Sequence, residues 1–160
     1  MVFSFQPMDE TCARAIAAWH YEGVTSFYDM EQDAEDLAEL LDPHSWPDQY
    51  YAVMDAEAAL DTAGGELVGF FCFEAGQDEV SIGLGLKPDL TGKGLGRAFC
   101  EAGLQFAREK FNPRTFALDV ATFNQRAIAL YRKLGFQDSG IHLQHTNGGE
   151  YEFLHMIREV

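Results

Sequence analysis

Hydrophobic and polar positions along the chain follow two kinds of pattern, which separate predicted strands from predicted helices. Short apolar or alternating segments, typical of strands, occur at residues 2–6, 50–54, 66–73, 79–86, 115–121, 136–138 and 151–157. Apolar residues spaced three or four apart, typical of amphipathic helices, occur at residues 9–19, 32–41, 94–110 and 125–134. The predicted order is therefore β-α-α-β-β-β-α-β-α-β-β.

Turn-forming and capping residues divide these segments. Residues 61–65 read Asp-Thr-Ala-Gly-Gly, which suits a turn between the second and third strands. Asp9 and Asn124 can each cap the helix that follows, and Gly135 is placed to end the last helix. Since no linker, repeat or low-complexity segment interrupts the 160 residues, we expect a single domain over residues 1–160.

The fourth predicted strand has one apolar face and one face almost without side chains. Val80, Ile82, Leu84 and Leu86 alternate with Ser81, Gly83, Gly85. Glycine weakens a strand, so two at alternate positions suggest that another group approaches the backbone closely. The loop at residues 91–96 then leads into a helix, whose first amides and positive dipole end favour phosphate. A slot for a thin chain beside a phosphate cradle suits a CoA thioester.

Residues 88–97 and residues 118–136 carry two motifs that resemble those of the GNAT superfamily of N-acetyltransferases. Residues 88–97, Pro-Asp-Leu-Thr-Gly-Lys-Gly-Leu-Gly-Arg, are similar to its pyrophosphate-binding motif, although Thr91 stands where the family more often has Arg or Gln. Residues 118–136, which begin Leu-Asp-Val-Ala-Thr-Phe-Asn and end Leu-Gly-Phe, are similar to its following strand and helix. The resemblance implies a mixed α/β fold: a mostly antiparallel sheet, splayed between its two central strands, with helices on both faces.

The resemblance also implies how acetyl-CoA would be held. Main-chain groups of the fourth strand would pair with pantetheine like an added strand, and the glycine-rich loop would bind pyrophosphate through its backbone. The cofactor-binding residues expected on this basis are Leu84, Gly85, Leu86, Thr91, Gly92, Lys93, Gly94, Leu95, Gly96, Arg97, Asn124 and Tyr131. No metal is expected.

Three residues are candidates for the proton transfers of amine acetylation. Tyr131 lies seven residues after Asn124, the family's placement for a tyrosine that protonates the CoA thiolate; phenol and thiol have reference pKa values within about two units. Asp119 is a carboxylate in an otherwise apolar strand, so it is either functional or ion-paired. In the subset resembling ribosomal-protein N-terminal acetyltransferases, an acid here is implicated as the base. Glu79 is the rival base, and water relay remains a third alternative.

Aromatic residues interleaved with carboxylates are expected to bind the acceptor amine. In this fold the two-helix segment covers the acceptor cleft, and cation–π contacts and charge pairing would suit a cationic amine. The acceptor-binding residues expected are Tyr21, Glu22, Phe27, Tyr28 and Asp29. Core packing with a solvated acidic face explains the same pattern equally well. The acceptor is a small-molecule or peptide amine, and the sequence leaves a homodimer open.

Charge distribution restricts the partners. The chain has a net charge of −15, yet residues 87–133 hold nine basic and four acidic residues. The single basic segment therefore carries the phosphate cradle, where it would favour a polyanionic cofactor, while nucleic acid and anionic membrane are disfavoured. Three widely spaced cysteines predict reduced thiols, and no signal peptide or membrane-spanning run is visible. We therefore expect a cytoplasmic protein.

Alternative functions fit the sequence less well. The loop lacks both the P-loop pattern and the dinucleotide-binding fingerprint, because Lys87 takes the first glycine position of one and Arg97 the last glycine position of the other. A non-catalytic acyl-CoA-binding sensor or partner module of the same fold remains open. His142, His145 and His155 show no metal-ligand spacing and are interpreted as surface or core residues. The leading hypothesis is an acetyl-CoA-dependent N-acetyltransferase that works by direct attack in a ternary complex.

Overall fold

A computed structural model describes residues 1–57 and 65–160. The predicted turn at residues 61–65 lies outside the described residues except for Gly65. The strands of the described part are β1 (Phe3–Pro7), β2 (Tyr50–Asp55), β3 (Glu66–Ala75), β4 (Glu79–Leu86), β5 (Thr115–Ala121), β6 (Gln137–Thr146) and β7 (Gly149–Glu159). They form one sheet in the order β1-β2-β3-β4-β5-β7-β6, and β4 with β5 is its parallel pair.

Within the described residues, four α-helices pack on the two faces of this sheet. They are α1 (Glu10–Ala17), α2 (Ala34–Leu41), α3 (Gly96–Phe111) and α4 (Gln125–Lys133). The main core joins α3 and α4 to one face through residues such as Phe71, Phe99, Phe116, Ile128 and Met156, and a second core joins α1 and α2 to the other face through Ile16, Leu40 and Ala52. No helix in the described residues is both long and apolar enough to span a membrane.

Side chains predicted to cap helices do so. Asp9 accepts a hydrogen bond from the Cys12 amide at 2.7 Å, and Asn124 accepts one from the Ala127 amide at 3.4 Å. Gly135 follows α4 with φ +95°, a left-handed conformation that glycine adopts without the cost of a Cβ. These local signals confirm the predicted starts of α1 and α4 and the end of α4.

The two central strands separate after a short paired stretch, as predicted. Residues 79–81 of β4 pair with residues 115–117 of β5, and no later pair joins the two strands in the described structure. Beyond this point β4 continues to Leu86 and β5 to Ala121. A wedge-shaped gap therefore opens between them towards their carboxyl ends.

The last hairpin is longer than the sequence predicts. The predicted strand at residues 136–138 is observed as β6, which runs from Gln137 to Thr146 and pairs with β7. Most of β6 is exposed, including 62% of Ile141 and 63% of Leu143. An edge strand with little burial on either face carries no clear apolar periodicity, and this is why the pattern underestimates it.

Candidate active site

A cleft with a volume of about 610 Å³ occupies the gap between β4 and β5. Its floor is formed by the carboxyl-terminal halves of these two strands, one end by the loop before α3, and one wall by α4. The opposite end is lined by aromatic and apolar side chains, namely Ile16, Trp19, Tyr21, Tyr28, Met30 and Phe70. The cleft is thus long, polar at one end and apolar at the other.

The glycines of β4 make room for side chains of β3 as well as for the cleft. Gly85 lies opposite Phe70 and Gly83 opposite Cys72 in the antiparallel register. A Cβ on Gly85 would overlap the Phe70 ring, and one on Gly83 would lie 2.6 Å from Cys72 Sγ. The interpretation that a ligand alone explains these glycines is therefore incomplete, because the neighbouring strand already covers this face.

Gly85→Ala should lower the free energy of unfolding by about 1–3 kcal/mol, the usual cost of adding a methyl group to a packed position. Phe70→Leu in the same chain should recover part of this loss, because the shorter side chain leaves space for the new Cβ. Urea unfolding followed by tryptophan fluorescence measures each variant. Strictly additive losses in the double variant would show that the two positions do not contact each other.

The loop before α3 is shaped by two left-handed glycines. Gly92 has φ +73° and Gly94 has φ +78°, a region in which a side chain is strained. The first amides of α3 have no acceptor within the helix, and the aliphatic Leu95 at the N-cap cannot supply one. The Thr91 hydroxyl donates to the Pro88 carbonyl at 2.8 Å. Backbone amides at the positive end of α3 therefore face this end of the cleft.

Arg126 reaches the same loop from α4. Its Nη1 lies 3.0 Å from the position of a Cβ built on Gly92, and Arg126 and Arg97 both line the cleft. Lys93 and Leu95 belong to the loop but lie outside the cleft lining. The loop end therefore combines backbone amides with two guanidinium groups, which suits a polyanion.

The α4 wall carries Tyr131 and lies close to Cys100 of α3. Burial raises the pKa of the Tyr131 hydroxyl, so the phenol stays protonated throughout the neutral range. Burial also raises the pKa of the Cys100 thiol to about 12, which makes the nucleophilic thiolate scarce. Asn124, besides capping α4, donates from Nδ2 to the Tyr28 hydroxyl at 3.2 Å. Tyr131 in this wall can therefore donate a proton, whereas the Cys100 thiol is a poor nucleophile because its thiolate is scarce.

Asp119 of β5 lies in the cleft lining, and Glu79 does not. Asp119 Oδ1 is 2.9 Å from His155 Nδ1 on β7 and 3.8 Å from His142 Nε2 on β6. Glu79 is exposed and pairs with Thr115 at the closed end of the β4–β5 gap. Because the strands separate only after this end, the structure brings Asp119 to the cleft and leaves the rival acid outside it.

Residues 20–33, which we call the covering segment, form one side of the apolar end. Tyr21 donates from its hydroxyl to the Leu86 carbonyl at 2.7 Å. Asp29, 8% exposed, accepts a hydrogen bond from the Tyr21 amide at 2.7 Å and lies 3.1 Å from His20 Nδ1. Asp29 is therefore held by hydrogen bonds within the covering segment and lies outside the cleft lining.

Of the other residues expected to bind the acceptor, some line the cleft and some lie outside it. Tyr28 lines the cleft together with Tyr21. Phe27 packs against Phe123 and Tyr151 outside the cleft lining, and Glu22 is exposed. Two of the five expected residues thus line the cleft, whereas the carboxylates of Glu22 and Asp29 lie outside its lining.

The covering segment is tied to the β6–β7 turn. Asp33 accepts a hydrogen bond from the Asn147 amide at 2.9 Å, and Asn147 donates from Nδ2 to the Phe27 carbonyl at 2.7 Å. The hydrogen bond from the Asn147 amide, together with those from the Asp36 and Glu35 amides, holds the pKa of Asp33 below its usual range. The hairpin therefore supports the side of the cleft that faces β4 and β5.

Sequence reasoning missed several residues that the fold brings to this site. Phe70 is one of them and stacks on Trp19, with ring centroids 6.4 Å apart, and Arg126 is another and approaches the glycine loop. His155 and His142, interpreted as surface or core residues, are partly exposed and also contact Asp119. The aromatic residues near Trp19 are a weak sequence signal for the apolar end of the cleft. The contacts of Arg126, His142 and His155 depend on strand register and helix placement, which the sequence pattern does not indicate.

In the described part of the chain, no group of three or more His, Cys, Asp or Glu side chains is arranged to hold a metal ion. The three cysteines are free thiols, with Cys12 and Cys100 buried and Cys72 half-buried.

Sequence relatives include two kinds of acetyltransferase. The mycothiol acetyltransferase of Clavibacter sepedonicus is 38% identical over 85 residues, which are 52% of this chain and 27% of the relative. The ribosomal protein bS18-alanine N-acetyltransferase of Escherichia coli strain K12 is 32% identical over 100 residues, 60% of this chain and 67% of the relative. The match thus spans only about a quarter of the first relative's length.

Solved structures share the fold. Spermidine N-acetyltransferase from Vibrio cholerae in complex with CoA and spermine gives a TM-score of 0.73 at 19% identity, covering 98% of this chain and 95% of that chain. The ribosomal-protein-S18-alanine N-acetyltransferase from Escherichia coli gives 0.64 at 20% identity, covering 99% and 94%. At these identities the likeness establishes the fold alone.

The sequence model of one family covers most of the chain, from the middle of α1 to the end of the loop after α4. Residues 14–136 match the family described as Acetyltransferase (GNAT) family. Since this match spans well over half of the chain, the protein belongs to the GNAT acetyltransferase family.

Proposed function

We propose that this protein transfers the acetyl group of acetyl-CoA to a primary amine by direct attack in a ternary complex. The observation that carries the proposal is the cleft between the diverging strands, which joins a polyanion site at one end to Asp119 and Tyr131 farther along. A long thioester with phosphates at one end matches this distribution. Acetyl-CoA, when bound, supplies the activated acetyl group.

Main-chain groups of β4 are the proposed site for the pantetheine arm. Past Ser81 the edge of β4 that faces β5 is not covered by that strand, so peptide groups of Leu84 and Leu86 can pair with an extended chain. The Leu86 carbonyl already accepts the Tyr21 hydroxyl. The Lys87 amide donates to the Val68 carbonyl of β3, and because peptide groups alternate between the two edges of a strand, those of Gly85 also face β3. Leu84 is therefore the position at which we place most of this pairing.

Arg126→Gln should raise the Kd for acetyl-CoA about tenfold, because a charge-assisted hydrogen bond to phosphate contributes about 1.5 kcal/mol or more. Isothermal titration measures the change. S-acetylpantetheine, which lacks phosphates, should bind both proteins equally. Arg114→Gln is the matched control, since Arg114 is 84% exposed beside Asp78. An equal loss of affinity for both ligands would place Arg126 away from the phosphates.

The apolar end of the cleft is the proposed acceptor site. Trp19, Tyr21, Tyr28 and Phe70 offer ring faces that attract an ammonium group, and Asp119 offers a carboxylate. Glu22 is exposed and Asp29 is occupied by hydrogen bonds, so charge pairing by these two residues is not part of the proposal. We therefore expect a cationic amine whose neighbouring atoms tolerate an aromatic surface.

We assign one residue to each proton transfer of the reaction. Asp119 accepts the proton that the acceptor ammonium loses, either directly or through a water molecule. The neutral nitrogen forms a bond to the acetyl carbon as the bond from that carbon to sulfur breaks. Tyr131 donates its phenolic proton to the departing sulfur, and the second proton that the nitrogen loses on becoming an amide returns to the Tyr131 oxygen through water. Cys100 does not carry the acetyl group, because burial keeps it as a thiol.

Thermal unfolding with ligands tests the proposal. Acetyl-CoA at 100 times its Kd should stabilise the protein by about 2.7 kcal/mol, roughly 5–10 °C in Tm for a domain of this size. NADH and ATP with Mg²⁺ are the controls. A panel of amines read by thiol release follows. A shift without turnover on any amine would favour the acyl-CoA sensor, and a larger shift with a control would overturn the proposal.

A further inference from the structure

Two histidines contact the carboxylate that we propose as the base. His155 Nδ1 lies 2.9 Å from Asp119 Oδ1, and His142 Nε2 lies 3.8 Å from the same oxygen. The exposed fractions of the three side chains are 38% for Asp119, 35% for His155 and 40% for His142. The cluster is thus open to solvent and continuous with the cleft through Asp119.

Strand register brings the cluster together from β5, β7 and β6. Asp119 and His155 are direct partners in the antiparallel β5–β7 pair, which points their side chains to the same face of the sheet. His142 lies opposite Phe153 on β7 and stacks on its ring, with centroids 6.3 Å apart. The shift in register between Asp138 and Ile141 sets the position of His142 relative to the cluster.

We propose that His155 is a positioning residue for Asp119. Resting on the proposed function, the inference is that His155 donates its Nδ1–H to Oδ1 and thereby turns Oδ2 towards the acceptor amine. Both histidine contacts involve Oδ1, so the second oxygen is the one left for the cleft. His142 flanks the same oxygen and restricts rotation of the carboxylate.

Asp119 needs an orienting partner because a base that rotates freely is not held in the reactive geometry. A general base must lie within hydrogen-bond reach of the proton it removes, and an orienting partner holds a reacting group in that geometry. A neutral imidazole donates through one nitrogen only, and the hydrogen bond it makes selects which one. Asp119 therefore selects the Nδ1–H tautomer of His155, and His155 in turn fixes Asp119.

Substitution of His155 separates an orienting hydrogen bond from mere packing. His155→Ala should lower kcat about tenfold or more, comparable to the loss when a residue that orients a metal ligand is removed, with the Kd for acetyl-CoA unchanged. His155→Asn places an amide N–H near the position of Nδ1–H and should restore most of the lost kcat. Equal activities of the Ala variant and the wild type, or an Asn variant as poor as Ala, would overturn the inference.

A matched control lies on the same hairpin. His145 is exposed on β6, three residues from His142 and therefore on the opposite face of the strand. His145→Ala and His145→Asn should both retain wild-type kcat. His142→Ala should show a smaller loss than His155→Ala, since its nitrogen lies farther from Asp119 Oδ1; a larger loss would assign the main role to His142.

An imidazole ¹⁵N NMR spectrum of the protein without ligand tests the hydrogen bond independently of turnover. At pH 8.5 the His155 signal should report the Nδ1–H tautomer, and Asp119→Ala should remove that preference. An Nε2–H tautomer in the wild type would overturn the inference. If the wild type acetylates amines and His155→Ala is fully active, this inference alone fails; if the wild type acetylates no amine, the proposed function fails and the positioning role with it.

Discussion

Replacing Tyr131 with phenylalanine should lower kcat by about 100-fold or more, the usual contribution of a general acid, while the Kd for acetyl-CoA stays near the wild-type value. The substitution removes one oxygen from a side chain of α4 whose ring contacts the Phe136 ring, so the wall of the cleft keeps its shape. The departing sulfur would then leave as a thiolate without a proton donor. Burial raises the pKa of Tyr131, so the wild-type donor remains protonated and its contribution should persist at mildly alkaline pH.

Steady-state kinetics together with isothermal titration measure this split between kcat and Kd. Tyr151→Phe is the matched control, because Tyr151 is exposed on β7 and should tolerate loss of its hydroxyl without effect on kcat. Acceptors are compared at saturating acetyl-CoA, so that weaker cofactor binding cannot imitate the effect. Unchanged turnover in Tyr131→Phe would remove this residue from the proposed chemistry, and water would become the proton donor.

The part of the fold that could be predicted from sequence is the part specified by neighbouring residues. The alternation in β4, the glycine loop and the caps at Asp9 and Asn124 are local, and all appear where predicted. Gly92 and Gly94 adopt positive φ, which explains glycine at both positions without reference to a ligand. The splay of β4 from β5 followed from the family resemblance, because no local pattern indicates where two strands stop pairing.

The contacts that the sequence could not predict are those between distant segments. Asp119 was recognised as unusual because a carboxylate in an apolar strand is costly, yet its partner depended on the register that sets His155 opposite it. Tyr21 reaches Leu86 across 65 positions of the chain, and Arg126 reaches Gly92 through the placement of α4. Hydrophobic periodicity indicates which face of a strand or helix is buried. It does not indicate which side chains of distant segments contact each other.

Asp119→Asn should lower kcat/KM by about 100-fold near pH 7, and the loss should shrink as pH rises. Asparagine has nearly the same shape and keeps an oxygen for the His155 hydrogen bond, but it cannot accept the ammonium proton. The variant then depends on acceptor molecules whose amine is already neutral in solution. At pH values below the amine pKa, which is about 8 to 10.4, the neutral fraction grows about tenfold per pH unit. The wild type, with its base in place, should vary less over the same range.

Full pH profiles of kcat/KM for the two proteins measure this convergence. Glu79→Gln tests the rival base directly and should be fully active, because Glu79 lies at the closed end of the β4–β5 gap. Asp138→Asn is a surface control, since Asp138 pairs with Arg132 outside the cleft. A loss of constant size at every pH would mean that Asp119 shapes the site without accepting the proton, because only a missing base makes the deficit depend on the supply of neutral amine. A loss in Glu79→Gln that exceeds the loss in Asp119→Asn would transfer the role to the other acid.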